Sequence, residues 1–175
     1  SFLSASIKKI NNSDHLCFLI TNQPVVARNL CDINTVKQIH NKLECLLGKE
    51  GAYINDIYFC PHHPDRGYPE ENPAFKIDCN CRKPKTEMID RAVKEYNVDT
   101  ENSWFVGDTT TDIQTGINAR LKTILVRTGK GGKDGKFNCS PDFVFDDSEA
   151  AIDFILTDRH KYIPYINKIV DTIKN

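Results

Sequence analysis

The feature that most limits the fold is an alternation. Short runs rich in β-branched and aromatic residues are separated by stretches with helical spacing. The runs are LCFLIT (16–21), DIYFC (56–60), SWFVGD (103–108), KTILVRTG (122–129) and DFVFDD (142–147). Between them, NTVKQIHNKLECLLGKEG places Val36, Ile39, Leu43 and Leu46 on one helical face, with Gly48 near its end. TEMIDRAVKEY places Met88, Ile89, Ala92, Val93 and Tyr96 at helical spacing. TTDIQTGINARL carries threonines and Asp112 in its first turn, which suits a helix N-terminus. SEAAIDFIL reads as the last helix of the alternation, with Ser148 as its cap. Strands that alternate with helices imply a parallel sheet with helices on both faces, an α/β fold. Ligands of such sheets bind beyond the carboxyl ends of the strands. Thr21, Asn22 and Asp108 fall at such ends, and Arg82 and Lys83 in a loop beyond one.

Two segments stand outside the alternation. Residues 61–85 form an insertion containing Pro, His and Cys, and residues 158–175 form a tail in which Pro164 is suited to open a helix. The expected organisation is one domain over 1–157 followed by a helical tail over 158–175. Hydrophobic content of 39% and charged content of 27% are globular values and argue against disorder. A formal net charge of −1 without a basic tract argues against a nucleic-acid surface. No apolar run is long enough to span a bilayer, and no leader pattern is visible. The expectation is a soluble, cytoplasmic protein without a membrane or nucleic-acid partner.

The insertion is bracketed by two tight pairs, Cys60-x-His62 and Cys79-x-Cys81. Three thiols and an imidazole suit a closed tetrahedral zinc site of the structural kind. A metal clip offsets the entropy of ordering a loop of about two dozen residues. Scattered buried thiols are the bland alternative, and two pairs flanking one loop speak against it. His63 stays open as the alternative histidine ligand. Cys17, Cys31, Cys45 and Cys139 read as ordinary reduced thiols.

FLITNQ, CRKP and FVGDTTTD are weak signals singly. Taken together and in this order, with YFCPHHP and ILVRTGKGG, they resemble the haloacid dehalogenase (HAD) superfamily of phosphohydrolases. Within it they resemble the zinc-containing branch of heptose bisphosphate and histidinol-phosphate phosphatases. The resemblance covers about residues 16 to 156. It implies a Rossmann-like, HAD-like sheet with a zinc-binding loop and no large cap domain. It implies a Mg²⁺-dependent phosphomonoesterase acting on a small phosphorylated metabolite. D-glycero-D-manno-heptose 1,7-bisphosphate is the first choice, and histidinol phosphate the second. By the same resemblance Thr21 hydrogen-bonds the transferring phosphoryl group, and Asn22 helps to frame the pocket. Lys83 offsets charge on the phosphoryl group and the nucleophile, and Arg82 contacts substrate. Asp108 holds Mg²⁺, and Asp112 supports that metal site. The chemistry agrees, because phosphoryl transfer is catalysed mainly by positioning and by cations around the oxygens.

Two departures accompany the resemblance. The family's first motif, D-x-D, carries the aspartate nucleophile, and no D-x-D occurs in these residues. The chain reads as a family member whose first segment is missing, with further sequence expected in a longer parent. The strand before LCFLIT would then leave a gap in the sheet, and these residues alone would be inactive. Thr109 stands where relatives often carry a basic residue. A non-catalytic, zinc-stabilised binding domain is the rival reading, and an in-frame D-x-D upstream of Ser1 would decide against it.

Overall fold

In a computed structural model, residues 2–157 are described apart from 66 and 68–70. The tail over 158–175, with its expected helix at Pro164, lies outside the described residues. The elements run α1 (Phe2–Asn11), β1 (Phe18–Asn22), α2 (Ile33–Lys49), β2 (Asp56–Cys60), α3 (Glu87–Tyr96), β3 (Trp104–Gly107), α4 (Thr110–Asn118), β4 (Lys122–Val126), β5 (Phe143–Phe145) and α5 (Ser148–Leu156). Every expected strand forms, and every strand pair is parallel.

The sheet comes in two pieces, β1–β2 and β3–β4–β5. Thr21 pairs in register with Phe59 and Asn22 with Cys60. Val106 pairs with Ile124. Among the described residues, β1 pairs only with β2 and β3 only with β4.

Helices cover both faces of the larger piece. Side chains alternate across a strand, so Thr123 and Ile124 of β4 point to opposite sides. Ile124 and Val126 pack with Ala151 and Phe154 of α5. On the other side, a Cβ on Gly116 of α4 would meet the Thr123 side chain and Phe105. The smaller piece follows the same logic. Tyr58 and Cys60 pack with Met88 and Ala92 of α3, while Phe59 faces His40 of α2 with ring centroids 5.1 Å apart. Met88 is fully buried there, so Met88→Ala should cost about 2–5 kcal/mol.

Helix starts are set by side-chain caps. Asp32 accepts from Thr35 N at 2.7 Å and Asp147 from Ala150 N at 2.9 Å. The cap of α5 is therefore Asp147, not Ser148. A carboxylate one residue earlier supplies the acceptor, and Ser148 becomes the first helical residue. The inward face of α2 also differs from expectation. Val36, His40 and Leu47 are buried, whereas Ile39 is 57% exposed and Leu46 48%. The two stripes are neighbours on the helix, and a pattern of apolar residues alone leaves His40 out of the core. Its burial rotates α2 toward the 36–40–43–47 line. Among the described residues no helix is long and apolar enough to cross a membrane.

Candidate active site

The two Cys/His pairs converge. The ligand atoms of Cys60, His62, Cys79 and Cys81 all lie within 4.8 Å of one another. Cys60 Sγ is 3.5 Å from Cys79 Sγ and 3.7 Å from His62 Nδ1. Cys81 Sγ is 3.2 Å from Cys79 Sγ and 3.3 Å from His62 Nδ1. Thiolates at about 2.3 Å from a tetrahedral zinc stand roughly 3.8 Å apart, so the four groups fit with small adjustments. Burial pushes the Cys60 thiol up to about 11 and raises that of Cys81 as well. Three thiolates packed this closely, one of them buried, would be stabilised by a cation among them. Burial also lowers the pKa of His62, which keeps its imidazole neutral and able to ligate. His63 does not join the cluster. It is buried, with Nδ1 accepting from Asp65 N at 3.2 Å.

The cluster also fixes the two cationic residues next to Cys81 in the chain. Arg82 Nη1 donates to His62 O at 3.0 Å, which ties the guanidinium to the Cys/His loop. Asn22, at the end of β1, grips the backbone of Lys83 twice. Its Oδ1 accepts from Lys83 N at 3.0 Å, and its Nδ2 donates to Lys83 O at 3.3 Å. Lys83 Nζ then reaches Ile20 O at 3.0 Å and Asp112 Oδ1 at 2.5 Å. An ammonium has three donors, and two are engaged by protein. The third is available to a ligand. Among the described residues, the Thr21 hydroxyl beside it forms no hydrogen bond to protein.

The opposite wall is built by the start of α4. Thr109 and Asp112 form a capping box: Thr109 Oγ1 accepts from Asp112 N at 3.1 Å, and Asp112 Oδ2 accepts from Thr109 N at 3.2 Å and from Thr109 Oγ1 at 2.6 Å. Asp112 thus joins Lys83 to the helix start. The close approach requires Gly107, because a Cβ there would lie 2.3 Å from Asp112 Cβ. Asp108 Oδ2 accepts from Lys130 N at 2.8 Å, and Asp108 O accepts from Gly132 N at 2.8 Å. Together these groups line a cleft of about 410 Å³ that includes Thr21, Asn22, Arg82, Lys83, Asp108 and Asp112. A second depression, of about 550 Å³ beside Asn80, Glu87 and Asp90, carries a single cation, Lys85.

The HAD-hydrolase-like family model matches residues 80–151. D-glycero-β-D-manno-heptose-1,7-bisphosphate 7-phosphatase from Haemophilus ducreyi is 30% identical over 164 residues, covering 93% of this chain and 81% of that protein. The chain belongs to the HAD-like phosphatases. The enzyme of the same name from Pasteurella multocida is 35% identical, over 75% of this chain and 70% of its own length. A solved D,D-heptose 1,7-bisphosphate phosphatase from B. bronchiseptica, complexed with magnesium and phosphate, superposes with a TM-score of 0.73. It is 31% identical and covers 87% of this chain and 80% of that one. The family is one of phosphoric monoester hydrolases, and the parallel sheet with helices matches its fold.

The sequence reading of this HAD-like phosphatase domain missed the role of the loop after β4. Asp134 accepts from Thr110 N at 2.6 Å, Thr110 Oγ1 at 2.9 Å and Thr111 Oγ1 at 3.4 Å. Thr110 Oγ1 in turn accepts from Lys136 N and Phe137 N, both at 3.2 Å. Burial opposes ionisation of Asp134, but the bonds from Thr110 and Thr111 outweigh it and hold its carboxyl below the usual range. The available signal was the glycine run 129–135, where Gly129 has φ 73° and a Cβ would sit 2.3 Å from Asp108 Oδ2.

Proposed function

We propose that the protein is a phosphatase of a small phosphorylated sugar, with D-glycero-D-manno-heptose 1,7-bisphosphate as its substrate. The observation that carries the reading is the cleft in which Lys83, with one free N–H, and Asp108 close on Thr21. Lys83 and Thr21 bind the phosphoryl oxygens, Asn22 holds the Lys83 backbone, and Arg82 contacts the substrate. Asp108 is the carboxylate that would hold Mg²⁺, and Asp112 supports it through Thr109 and Lys83. When bound, Mg²⁺ supplies positive charge to the phosphoryl oxygens. Cys60, His62, Cys79 and Cys81 would hold zinc, which keeps the Arg82-Lys83 loop in place. Support for the substrate comes from the relatives named heptose bisphosphate phosphatases. Histidinol phosphate is the second choice.

The in-line carboxylate is a separate matter. Asp108 bonds Lys130 N, Asp112 bonds Lys83 and Thr109, and Asp134 bonds Thr110. Asp65, the remaining aspartate of the cleft, gives its backbone N–H to His63 and keeps its carboxylate largely exposed. These residues are expected to bind the phosphorylated sugar without turning it over, because the D-x-D motif that carries the family's aspartate nucleophile is not among them. The test is a phosphate-release screen of the full-length gene product with Mg²⁺. Release from the heptose bisphosphate, faster than from histidinol phosphate, is expected. Faster release from histidinol phosphate, or none from any sugar phosphate, would contradict the reading.

A further inference from the structure

The loop after β4 is pinned to the cleft at both ends. At its start, Lys130 N donates to the Asp108 carboxylate at 2.8 Å and Gly132 N to Asp108 O at 2.8 Å. At its end, Asp134 takes the Thr110 N–H at 2.6 Å, and Thr110 Oγ1 accepts from Lys136 N and Phe137 N. A loop held by that many bonds presents its side chains from a fixed wall. Lys130 and Lys136 both line the cleft.

The cations of the cleft fall into two groups. Lys83 is paired with Asp112, and Arg82 is bonded to His62 O. Lys130 and Lys136 have no ion-pair partner among the described residues. The residue after Asp108 adds no charge, because Thr109 is neutral and its hydroxyl is engaged by Asp112. Positive charge on the Asp108 side of the cleft therefore comes from the loop. The cleft, at about 410 Å³, is within the range of small-molecule sites and exceeds what one phosphate fills.

We propose that Lys130, with Lys136 beside it, forms a second anion subsite that takes the non-transferred phosphate of a sugar bisphosphate. The proposal rests on the phosphatase reading and adds to it which residues set the preference for two phosphates over one. Lysine suits such a contact as a compact, mobile point charge, and contacts between ionised partners are the strong kind of hydrogen bond.

Calorimetric titration with Mg²⁺ present tests this by binding alone, with glucose 1,6-bisphosphate and glucose 6-phosphate as probes. The wild-type protein should bind the bisphosphate at least about tenfold more tightly. Lys130→Gln should remove most of that preference, with a much smaller loss for the monophosphate. Lys133→Gln, on the same loop but off the cleft wall, reports the general effect of losing a positive charge. A Lys130→Gln protein that keeps the preference overturns the proposal. So does an equal loss for both probes, which would put Lys130 on the reacting phosphate, or a Lys133→Gln loss as large as that of Lys130→Gln. Wild-type binding of both probes with equal affinity overturns the subsite and leaves the phosphatase reading standing. Binding of neither overturns the phosphatase reading and the subsite with it.

Discussion

Replacing Lys83 by methionine removes the ammonium and keeps most of the apolar stem. The Lys83 side chain is 13% exposed and its partner Asp112 8%. Breaking a buried pair by removing one partner costs about 3–5 kcal/mol, because a charge is left uncompensated. Asp112 keeps the donors from Thr109 N and Thr109 Oγ1, so a loss of about 2–3 kcal/mol is the better figure. At about 2–4 °C per kcal/mol for a chain of this size, Tm should fall by roughly 4–12 °C. Adding Asp112→Asn removes the orphaned charge and should restore much of that loss. It should not restore ligand binding. Losing a charge-assisted contact to phosphate should weaken inorganic phosphate by about 10–150-fold, or roughly 1.5–3 kcal/mol. Thermal unfolding and phosphate titration of the single and double variants separate the two effects. An unchanged Tm in Lys83→Met would refute the buried pair. Unchanged phosphate affinity would refute the contact.

Protein purified without chelator should carry about one zinc per chain by elemental analysis, and Cys79→Ser should lose it; no metal in wild type would contradict the four-ligand site. Gly129→Ala should make phosphate binding much less sensitive to Mg²⁺, because a Cβ would sit 2.3 Å from Asp108 Oδ2 at φ 73°; full Mg²⁺ dependence would show that the loop does not set Asp108. The lowered pKa of Asp134 means that its contribution to stability is present above the ordinary value of 3.8 and is lost as pH falls below it. The stability gap between wild type and Asp134→Asn, followed by urea unfolding, should shrink as pH drops through that region, and a gap independent of pH would contradict the clamp.

Much of this was legible in the sequence because the signals are local. Strands β2 and β4 begin at the expected residues, and the ligand cluster assembles from two pairs at the ends of one loop. Lys83 and Asp108 stand in short motifs near strand ends. What was not legible depends on contacts distant in sequence or on small rotations. The bond from Asp134 to Thr110 spans 24 residues, and neither residue stands out in its own segment. The two candidate stripes on α2 differ by one step around the helix. Buried His40 against Phe59 decides between them, and that contact crosses from α2 to β2. Asp147 and Ser148 both make good caps, and only the backbone turn selects the first. The service of Asp112 to both Lys83 and Thr109 likewise depends on Gly107 letting β3 and α4 approach.

We propose that the cleft between Lys83 and Asp108 holds a phosphorylated sugar with Mg²⁺. Titration of D-glycero-D-manno-heptose 1,7-bisphosphate into wild type and Asp108→Asn, with and without Mg²⁺, tests it most directly. Wild type should bind more strongly with Mg²⁺, and Asp108→Asn should lose that Mg²⁺ response. Binding that ignores Mg²⁺, or an Asp108→Asn protein that responds to it as wild type does, would contradict it.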